Sequence, residues 1–219
     1  MSTTLLASAL SPFSARLRIA IALKQLPISA EPAPGGTGSA ELKAINPFGQ
    51  IPILMVDGKA LVESLALLDF LEDAYPQSRR LRPTDPVAAA RARSIGLLFD
   101  NKVFAALRPM FAQMTGAAPP DVAVVHAALD EAAAHLQSLS TFFDAEGPAV
   151  GGELSTADCA LAPFCWLLSV VAPKFGATNP FTRTPRLVAW WDVVGATPEV
   201  QQVIKGLLEA FAAFAAAKK

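Results

Sequence analysis

Every strand-like segment of this 219-residue sequence lies before residue 77, and beyond that point the hydrophobic pattern is helical throughout. The predicted elements of the first part alternate as β-α-β-α-β-β-α, at 3–7, 14–26, 28–32, 40–45, 53–56, 60–62 and 63–75. Asp57-Gly58 between the last two strands is a strong hairpin signal. Strands joined through a helix run parallel, whereas a hairpin is antiparallel. We therefore predict a mixed four-stranded sheet with helices.

A polar segment at 78–86, which contains Pro83 and Pro86, separates this sheet from alanine-rich helices. Helices are predicted over 87–114, 121–144 and 199–216, with Trp190 and Trp191 on another. The segment beginning at Ser155 fits a capping box with Asp158 at its third position, which starts a further helix. The predicted division is an α+β domain over 1–77, a linker over 78–86 and an all-helical domain over 87–219.

Composition narrows the class of protein. Hydrophobic residues make up 53% and charged residues 17%, which excludes a disordered chain. The net charge of −1 provides no electrostatic basis for binding nucleic acid or an anionic membrane. The longest uncharged run, 159–173, is shorter than the roughly 20 apolar residues of a membrane span, so we expect a buried central helix. Cys159 and Cys165 suit buried free thiols in a reducing cytoplasm.

Several common catalytic motifs are missing from the sequence. His126 and His135 are its two histidines, and their spacing of nine does not bring metal ligands onto one helical face, so no metal is expected. There is no G-x-S-x-G nucleophile elbow and no phosphate-binding G-x-x-x-x-G-K motif. Chemistry must therefore come from other features of the first domain.

Ser11-Pro12-Phe13-Ser14 lies where the first strand passes into the first helix. Backbone N–H groups at a helix N-terminus are unpaired and carry a partial positive charge. A serine hydroxyl at this point can donate to an anion held nearby, although Ser11 or Ser14 could equally serve as an ordinary cap.

Two further motifs stand at the ends of predicted strands. Gln50-Ile51-Pro52 precedes the third strand, where a cis Ile51–Pro52 bond would turn the backbone of Ile51 toward a ligand. Glu63-Ser64 opens the helix that follows the hairpin. This pair offers a counter-charge for an ammonium and a hydroxyl for a carboxylate, or else simply caps the helix.

The order and spacing of these motifs resemble those of the cytosolic glutathione transferases. The resemblance is carried by Ser-Pro-Phe-x-x-Arg-x-Arg-Ile-Ala at 11–20, Asn-Pro-x-Gly-Gln-Ile-Pro-x-Leu at 46–54 and Leu-x-Glu-Ser-x-Ala-Leu-x-x-x-Leu at 61–71. The capping box at 155–158 is similar to the family's as well. The Ser-Pro-Phe start looks most like the serine-type tau, zeta and related bacterial groups. The resemblance implies a thioredoxin-like first domain, an all-helical second domain, a cytoplasmic homodimer and a role in detoxification.

Residue by residue, the resemblance gives Ser11 as the catalytic hydroxyl that hydrogen-bonds the glutathione sulfur. It places glutathione on Phe13, Gln50, Ile51, Pro52, Glu63 and Ser64. The thiolate would then add to a small hydrophobic electrophile in the helical domain. The candidate walls of that pocket are Phe99, Phe104, Phe111 and Trp166, with Phe211 and Phe214 from the tail; core packing is the competing interpretation for each.

The sequence departs from the family pattern at two positions. Gln50 stands where serine-type members often have Lys or His, and Gly38 stands where a basic residue is usual, with Lys43 nearby. These departures favour one alternative, a non-catalytic glutathione-binding or regulatory module. A second alternative is a glutathione-dependent isomerase or dehalogenase, although the zeta signature Ser-Ser-Cys is not met. The absence of the omega-type cysteine argues against thiol–disulfide exchange.

Overall fold

The computed structural model describes residues 1–217. Its strands are β1 (Thr3–Ala7), β2 (Ser29–Pro32), β3 (Ile53–Val56) and β4 (Lys59–Leu61). Its α-helices are α1 (Pro12–Leu23), α2 (Ala40–Ile45), α3 (Ser64–Ala74), α4 (Pro86–Leu98), α5 (Ala105–Met114), α6 (Val122–Ser140), α7 (Thr156–Val171), α8 (Pro185–Val194) and α9 (Pro198–Ala217). The chain forms two compact units, one of residues 1–82 with the chain from Thr197 onward, the other of residues 83–196.

The first unit contains the predicted mixed sheet, with strand order β2-β1-β3-β4. β1 and β2 are parallel, while the β1–β3 and β3–β4 pairs are antiparallel. Leu5 pairs with Leu54, and Leu54 with Leu61. Leu5 and Leu54 are completely buried, so the central strands carry the apolar positions that form the core of this unit. The predicted thioredoxin-like sheet is confirmed.

The first unit includes two segments that lie outside the predicted first domain of residues 1–77. Segment 79–82 belongs to it because the buried Glu72 carboxylate accepts the backbone N–H groups of Leu81 and Arg82. Lys24 donates to that carboxylate at 2.7 Å and to the Arg79 carbonyl at 2.8 Å. The last helix, α9, packs on α1 of this unit, with Val200 and Leu207 buried two helical turns apart.

The second unit is all-helical and centres on α7, whose residues are almost all buried. Its capping box forms as predicted, with Ser155 and Asp158 bonded reciprocally. Asp158 also accepts the Trp190 indole N–H at 2.7 Å. Among the described residues, only Thr156–Phe175 is long and apolar enough to span a membrane, and 78% of its apolar window is buried. Such burial is that of the core helix of a soluble protein.

The helix predicted over 87–114 is interrupted. A six-residue π-helical segment, Phe99–Phe104, separates α4 from α5. It ends five residues before Pro109, which lies inside α5, has no N–H to donate to the preceding turn and crowds the carbonyl four residues back with its ring. The hydrophobic period is the same on either side of this segment, so the pattern alone does not reveal the change of winding.

Candidate active site

The strand register brings three loops to one end of the sheet. Leu6 pairs with Ile53 across β1 and β3, and Leu54 pairs with Leu61 across β3 and β4. Because β1 and β3 are antiparallel, the loop that follows β1 lies beside the residues that precede β3. Because β4 is antiparallel to β3, the segment that follows β4 lies at the same end of the sheet. Ser11, Ile51-Pro52 and Glu63-Ser64 therefore belong to one edge of the first unit, although they are far apart in sequence.

Ser11 is the N-cap of α1. Its backbone is extended (φ −86°, ψ 120°), and its side-chain oxygen accepts the backbone N–H of Ser14 at 3.2 Å. The backbone N–H of Ser11 donates to the Ser8 carbonyl at 3.3 Å, which fixes the loop that leads into the helix. A hydroxyl has one donor and two acceptor lone pairs, so the cap bond leaves the Ser11 proton available to a ligand.

The segment before β3 presents unpaired backbone groups. The Ile51–Pro52 bond is cis, as predicted, and Pro52 is buried. In the part of the chain that the structure describes, the N–H and C=O of Ile51 have no hydrogen-bond partner. Its side chain packs against the buried cluster of Leu6, Leu42 and Ile53. This edge can therefore bond to the backbone of a peptide-like ligand.

Asn46 holds this segment in place, a role that sequence reasoning missed. It is buried, its amide nitrogen donates to the Gln50 carbonyl at 2.9 Å, and its side-chain oxygen accepts the N–H of Phe48 at 3.2 Å. The sequence shows Asn46-Pro47 only as a helix stop. The sequence could have indicated this role, because an asparagine side chain commonly forms an Asx turn by bonding the backbone two residues further on.

Gln50 itself is exposed. The neighbouring Gly49 has a φ of +62°, and a Cβ there would lie 3.2 Å from the Lys43 side-chain Cγ. The stem of Lys43 thus lies against the residue that precedes Gln50. This contact places a flexible cation close to the segment that carries Ile51.

Glu63 and Ser64 form the N-terminus of α3. Glu63 has a φ of +71°, an uncommon conformation for a residue with a side chain, and it makes no side-chain cap bond. Its exposed carboxylate is therefore available to a cation, which favours a binding role over the capping role. Ser64 is buried to 6% exposure in the first turn of the helix.

Arg16 connects the two helix N-termini, and sequence reasoning gave it no role. It is fully buried on α1, and its Nη1 donates to the Ser64 hydroxyl oxygen at 3.0 Å. Its guanidinium carbon lies 4.7 Å from the centroid of the Phe13 ring, a cation–π contact. Phe13 therefore packs against the site's buried cation. The sequence could have indicated this role, because Arg16 occupies a core-facing position of α1 within the Ser-Pro-Phe-x-x-Arg-x-Arg-Ile-Ala motif.

The aromatic candidates of the helical part fall into three groups. Phe99 is fully buried, with ring centroids 4.9 Å from Phe164 and 6.3 Å from Phe181, so it has no surface to offer a ligand and is a core residue. Trp166 is also buried. Phe104 and Phe111 are partly exposed, and their ring centroids are 5.3 Å apart. Phe211 and Phe214 lie on α9 of the first unit.

The protein's own thiols are poor nucleophiles. Cys159 and Cys165 are buried and form no disulfide, and burial raises the pKa of the Cys165 thiol far above its ordinary value. Among residues 1–217, no cluster of three or more His, Cys, Asp or Glu side chains is placed to hold a metal.

Both units of this chain match a known protein family. Residues 5–79 match the family described as glutathione S-transferase, N-terminal domain, and residues 88–192 match glutathione S-transferase, C-terminal domain. A probable maleylacetoacetate isomerase 2 of Drosophila melanogaster is 32% identical over 158 residues, 70% of this chain and 68% of the relative. A probable maleylacetoacetate isomerase of Caenorhabditis elegans is 39% identical over 90 residues, which cover 40% of this chain.

The match to the Caenorhabditis elegans relative spans only 42% of that protein's length. Among solved structures, rice GST1 in complex with glutathione superimposes with a TM-score of 0.78 at 26% identity, covering 97% of each chain. Both units of the chain therefore have counterparts of the same fold in one known structure.

Proposed function

The chain belongs to the glutathione S-transferase family, and from that membership we propose that it activates the thiol of glutathione and transfers the sulfur to a small apolar electrophile. The observation that carries the proposal is the Ser11 hydroxyl. It stands at a helix N-terminus with its proton unused by the cap bond, on the same edge of the sheet as Ile51 and Ser64.

The energetics of thiol activation suit this arrangement. A free cysteine thiol has a pKa of about 8.5, and lowering it by about two units needs about 2.7 kcal/mol of preferential stabilisation of the thiolate. A hydroxyl that donates to a charged group contributes about 1.5–3 kcal/mol, and a helix N-terminus about 0.3–2 kcal/mol. The combined contribution of Ser11 and the first turn of α1 spans the stabilisation that is needed. The thiol proton leaves to solvent, and Ser11 donates to the sulfur without forming a covalent bond.

The other residues at this edge of the sheet each bind a different part of glutathione. The N–H and C=O of Ile51 pair with the cysteinyl backbone, with Gln50 and Pro52 on either side. Glu63 faces the ammonium of the γ-glutamyl end, and Ser64 donates to its carboxylate. Lys43 supplies the cation for the glycyl carboxylate, because its stem lies against Gly49 while Gly38 offers no charge.

The electrophile is small and apolar, and Phe104 with Phe111 forms partly exposed aromatic surface of the helical unit. The thiolate attacks its electrophilic carbon, and the leaving group departs with the electrons of its bond to that carbon.

We also propose that the protein is a cytoplasmic homodimer active in detoxification, in keeping with its family and its two buried cysteines, which form no disulfide. Gel filtration should give about twice the chain mass of 23.0 kDa, and elution at the single-chain mass would contradict the dimer.

A direct test is to incubate the protein with glutathione and 1-chloro-2,4-dinitrobenzene and to analyse the products by mass spectrometry. The proposal predicts the dinitrophenyl conjugate of glutathione and an equal amount of chloride, both above the uncatalysed rate. Glutathione binding in calorimetry without conversion of this or other activated electrophiles would instead indicate a binding module.

A second candidate is a glutathione-dependent isomerase, which the names of the fly and nematode relatives favour. In that reaction the thiolate adds to a carbon–carbon double bond, the adduct rotates, and elimination returns the thiolate. Incubation with maleylacetoacetate distinguishes the two. An isomerase yields an isomer without a glutathionyl group and leaves the glutathione concentration unchanged.

A further inference from the structure

A cleft lies at the end of the first unit opposite the Ser11 edge. Its walls are the C-terminal ends of α1 and α3 and the segment that follows α3, and its volume is about 240 Å³. α1 runs 12 residues from the Ser11 edge to Lys24, a length of about 18 Å. The cleft is therefore separate from the site described above, and its lining residues belong to the first unit.

The two carboxylates of the cleft are already paired with cations. The buried Glu72 carboxylate accepts a hydrogen bond from the Lys24 ammonium at 2.7 Å, and Asp73 forms an ion pair with Arg82. Each pair carries one positive and one negative charge, so together they add no net charge to the cleft.

The acceptor at the end of α3 is engaged as well. The Tyr75 carbonyl accepts the N–H of Ser78 at 3.1 Å and the hydroxyl of Ser78 at 2.7 Å. Since the carboxylates and this carbonyl all have partners, a cationic ligand finds its acceptors occupied. The unused hydrogen-bonding groups of the cleft are donors.

Arg80 supplies most of these donors. Its side chain is exposed at the mouth of the cleft, and its Nε donates to the Arg82 carbonyl at 2.8 Å. Among the residues that the structure describes, Arg80 has no carboxylate partner and its two terminal nitrogens make no hydrogen bond. A guanidinium presents such donors as a planar fork that matches two oxygens of a phosphate or carboxylate.

Lys24 lies at the base of the same cleft. Its side chain is 1% exposed, and its ammonium donates to Glu72 and, at 2.8 Å, to the Arg79 carbonyl. An ammonium has three N–H donors, and in the described part of the chain the third has no partner. A buried donor without an acceptor is costly. An anion that enters the cleft past Arg80 supplies that acceptor.

We propose that this cleft is a second binding site of the protein, which takes the phosphate group of a small organic phosphate. A phosphate monoester carries about 1.5–2 negative charges at neutral pH, which suits the donors of both Arg80 and Lys24 better than the single charge of a carboxylate. A cavity needs only about 10–15 Å³ to hold a water molecule, so the cleft has room for more than the phosphate. Tyr75 and Pro76 provide the wall against which the carbon atoms of the ligand pack.

The test measures the binding of three small molecules by isothermal titration calorimetry, in a phosphate-free buffer at physiological ionic strength. They are glycerol 3-phosphate, glycerate, which bears a carboxylate instead, and uncharged glycerol. The wild-type protein should bind glycerol 3-phosphate saturably, glycerate several-fold more weakly and glycerol not at all. Glycerate bound as tightly as glycerol 3-phosphate would overturn the assignment to a phosphate.

Arg80→Met should weaken the binding of glycerol 3-phosphate on the order of tenfold or more, because it removes the charged fork. Arg80→Lys keeps the charge but loses the fork and should give an intermediate Kd. The matched control is Arg79→Met. It removes the same charge from the adjacent exposed position, whose side chain is not part of the cleft wall, and should change the Kd by less than about twofold.

Equal weakening by Arg79→Met and Arg80→Met would show attraction to the general positive charge of this segment and would overturn the proposal. The same holds if the wild-type protein shows no saturable binding of glycerol 3-phosphate at millimolar concentrations. Ser11→Ala should leave this Kd unchanged, because Ser11 lies at the other end of α1. Loss of binding in Ser11→Ala would place the phosphate at the Ser11 edge and would also contradict the proposal.

Discussion

The side-chain oxygen of Ser11 accepts the backbone N–H of Ser14 at 3.2 Å, and this one bond serves two purposes. It caps α1, and it fixes the hydroxyl at the positive end of the helix with its proton still available. The two interpretations of Ser11 from sequence, helix cap and ligand donor, are therefore compatible. A cap holds the oxygen in place, and a donor needs only the proton.

Glu63 should contribute to binding through the ligand's ammonium. Glu63→Gln removes the charge and keeps the shape of the side chain, so glutathione should bind up to about fivefold more weakly at low salt, as expected for an exposed ion pair. The effect should shrink at high ionic strength. N-acetylglutathione, which lacks the ammonium, should bind the variant and the wild type equally in calorimetry.

The matched control for Glu63 is Asp57→Asn. Asp57 lies in the turn between β3 and β4, at the opposite end of the sheet, and removing its charge should leave the glutathione Kd unchanged. If Glu63→Gln weakens N-acetylglutathione as much as glutathione, then Glu63 does not face the ammonium.

The hydrogen bond from Trp190 to Asp158 should make a measurable contribution to the stability of the helical unit. Trp190→Phe keeps the aromatic packing but removes the donor at 2.7 Å from a buried carboxylate. We expect the free energy of unfolding in urea to fall by about 1.5–3 kcal/mol, the range for a hydrogen bond to a charged group. Trp191→Phe, at the partly exposed neighbouring position, should cost about 1 kcal/mol or less. Equal losses in the two variants would contradict this account.

Asp144 gives the stability a specific dependence on pH. Burial alone raises the pKa of the Asp144 carboxyl, but the N–H of Gly151 and the guanidinium of Arg91 outweigh it, so the pKa lies below its ordinary value. A lowered folded-state pKa stabilises the protein above the unfolded value of about 3.9, and this stabilisation is lost as the pH falls through the folded value.

Asp144→Asn should therefore lower the free energy of unfolding most at neutral pH, and its difference from the wild type should shrink below about pH 4. The measurement is urea unfolding followed by circular dichroism between neutral pH and pH 3. Arg91→Met, which removes a partner at 2.9 Å, should also reduce the pH-dependent part of the stability. A difference between Asp144→Asn and wild type that is the same at every pH would show that the ionised carboxylate has no part in it.

The sheet and the identity of the site motifs could be predicted from sequence because they depend on local signals. The Asp57-Gly58 turn, the alternation of strands and helices and the Ser155–Asp158 capping box are each specified by neighbouring residues. The packing partner of α9 could not be predicted in this way. Its apolar stripe around Val200 and Leu207 shows that one face is buried but does not identify the helix that covers it.

The long-range contacts that hold the site residues in place could not be predicted from sequence for a similar reason. Arg16 and Ser64 are 48 residues apart, and only the folded sheet brings α1 and α3 together. Asn46 acts on Gln50 and Phe48 through its side chain, which a helix-stop signal does not describe. The burial of Phe99 likewise depends on Phe164 and Phe181 from distant segments. Long-range partners of this kind are set by packing, whereas hydrophobic periodicity reports only which face is buried.

The central claim is that Ser11 lowers the pKa of the bound thiol. Its most direct test is the near-ultraviolet thiolate absorbance of the glutathione complex, titrated with pH in the wild type and in Ser11→Ala. The control is Ser39→Ala, which removes a similar serine cap, that of α2 at 3.0 Å, and should leave the thiol titration as in the wild type. We predict a thiol pKa about two units below 8.5 in the wild type and about one to two units higher in Ser11→Ala, where only the helix N-terminus still favours the thiolate, with a much smaller change in the glutathione Kd. Identical titrations in the wild type and Ser11→Ala, with glutathione bound in both, would contradict the account.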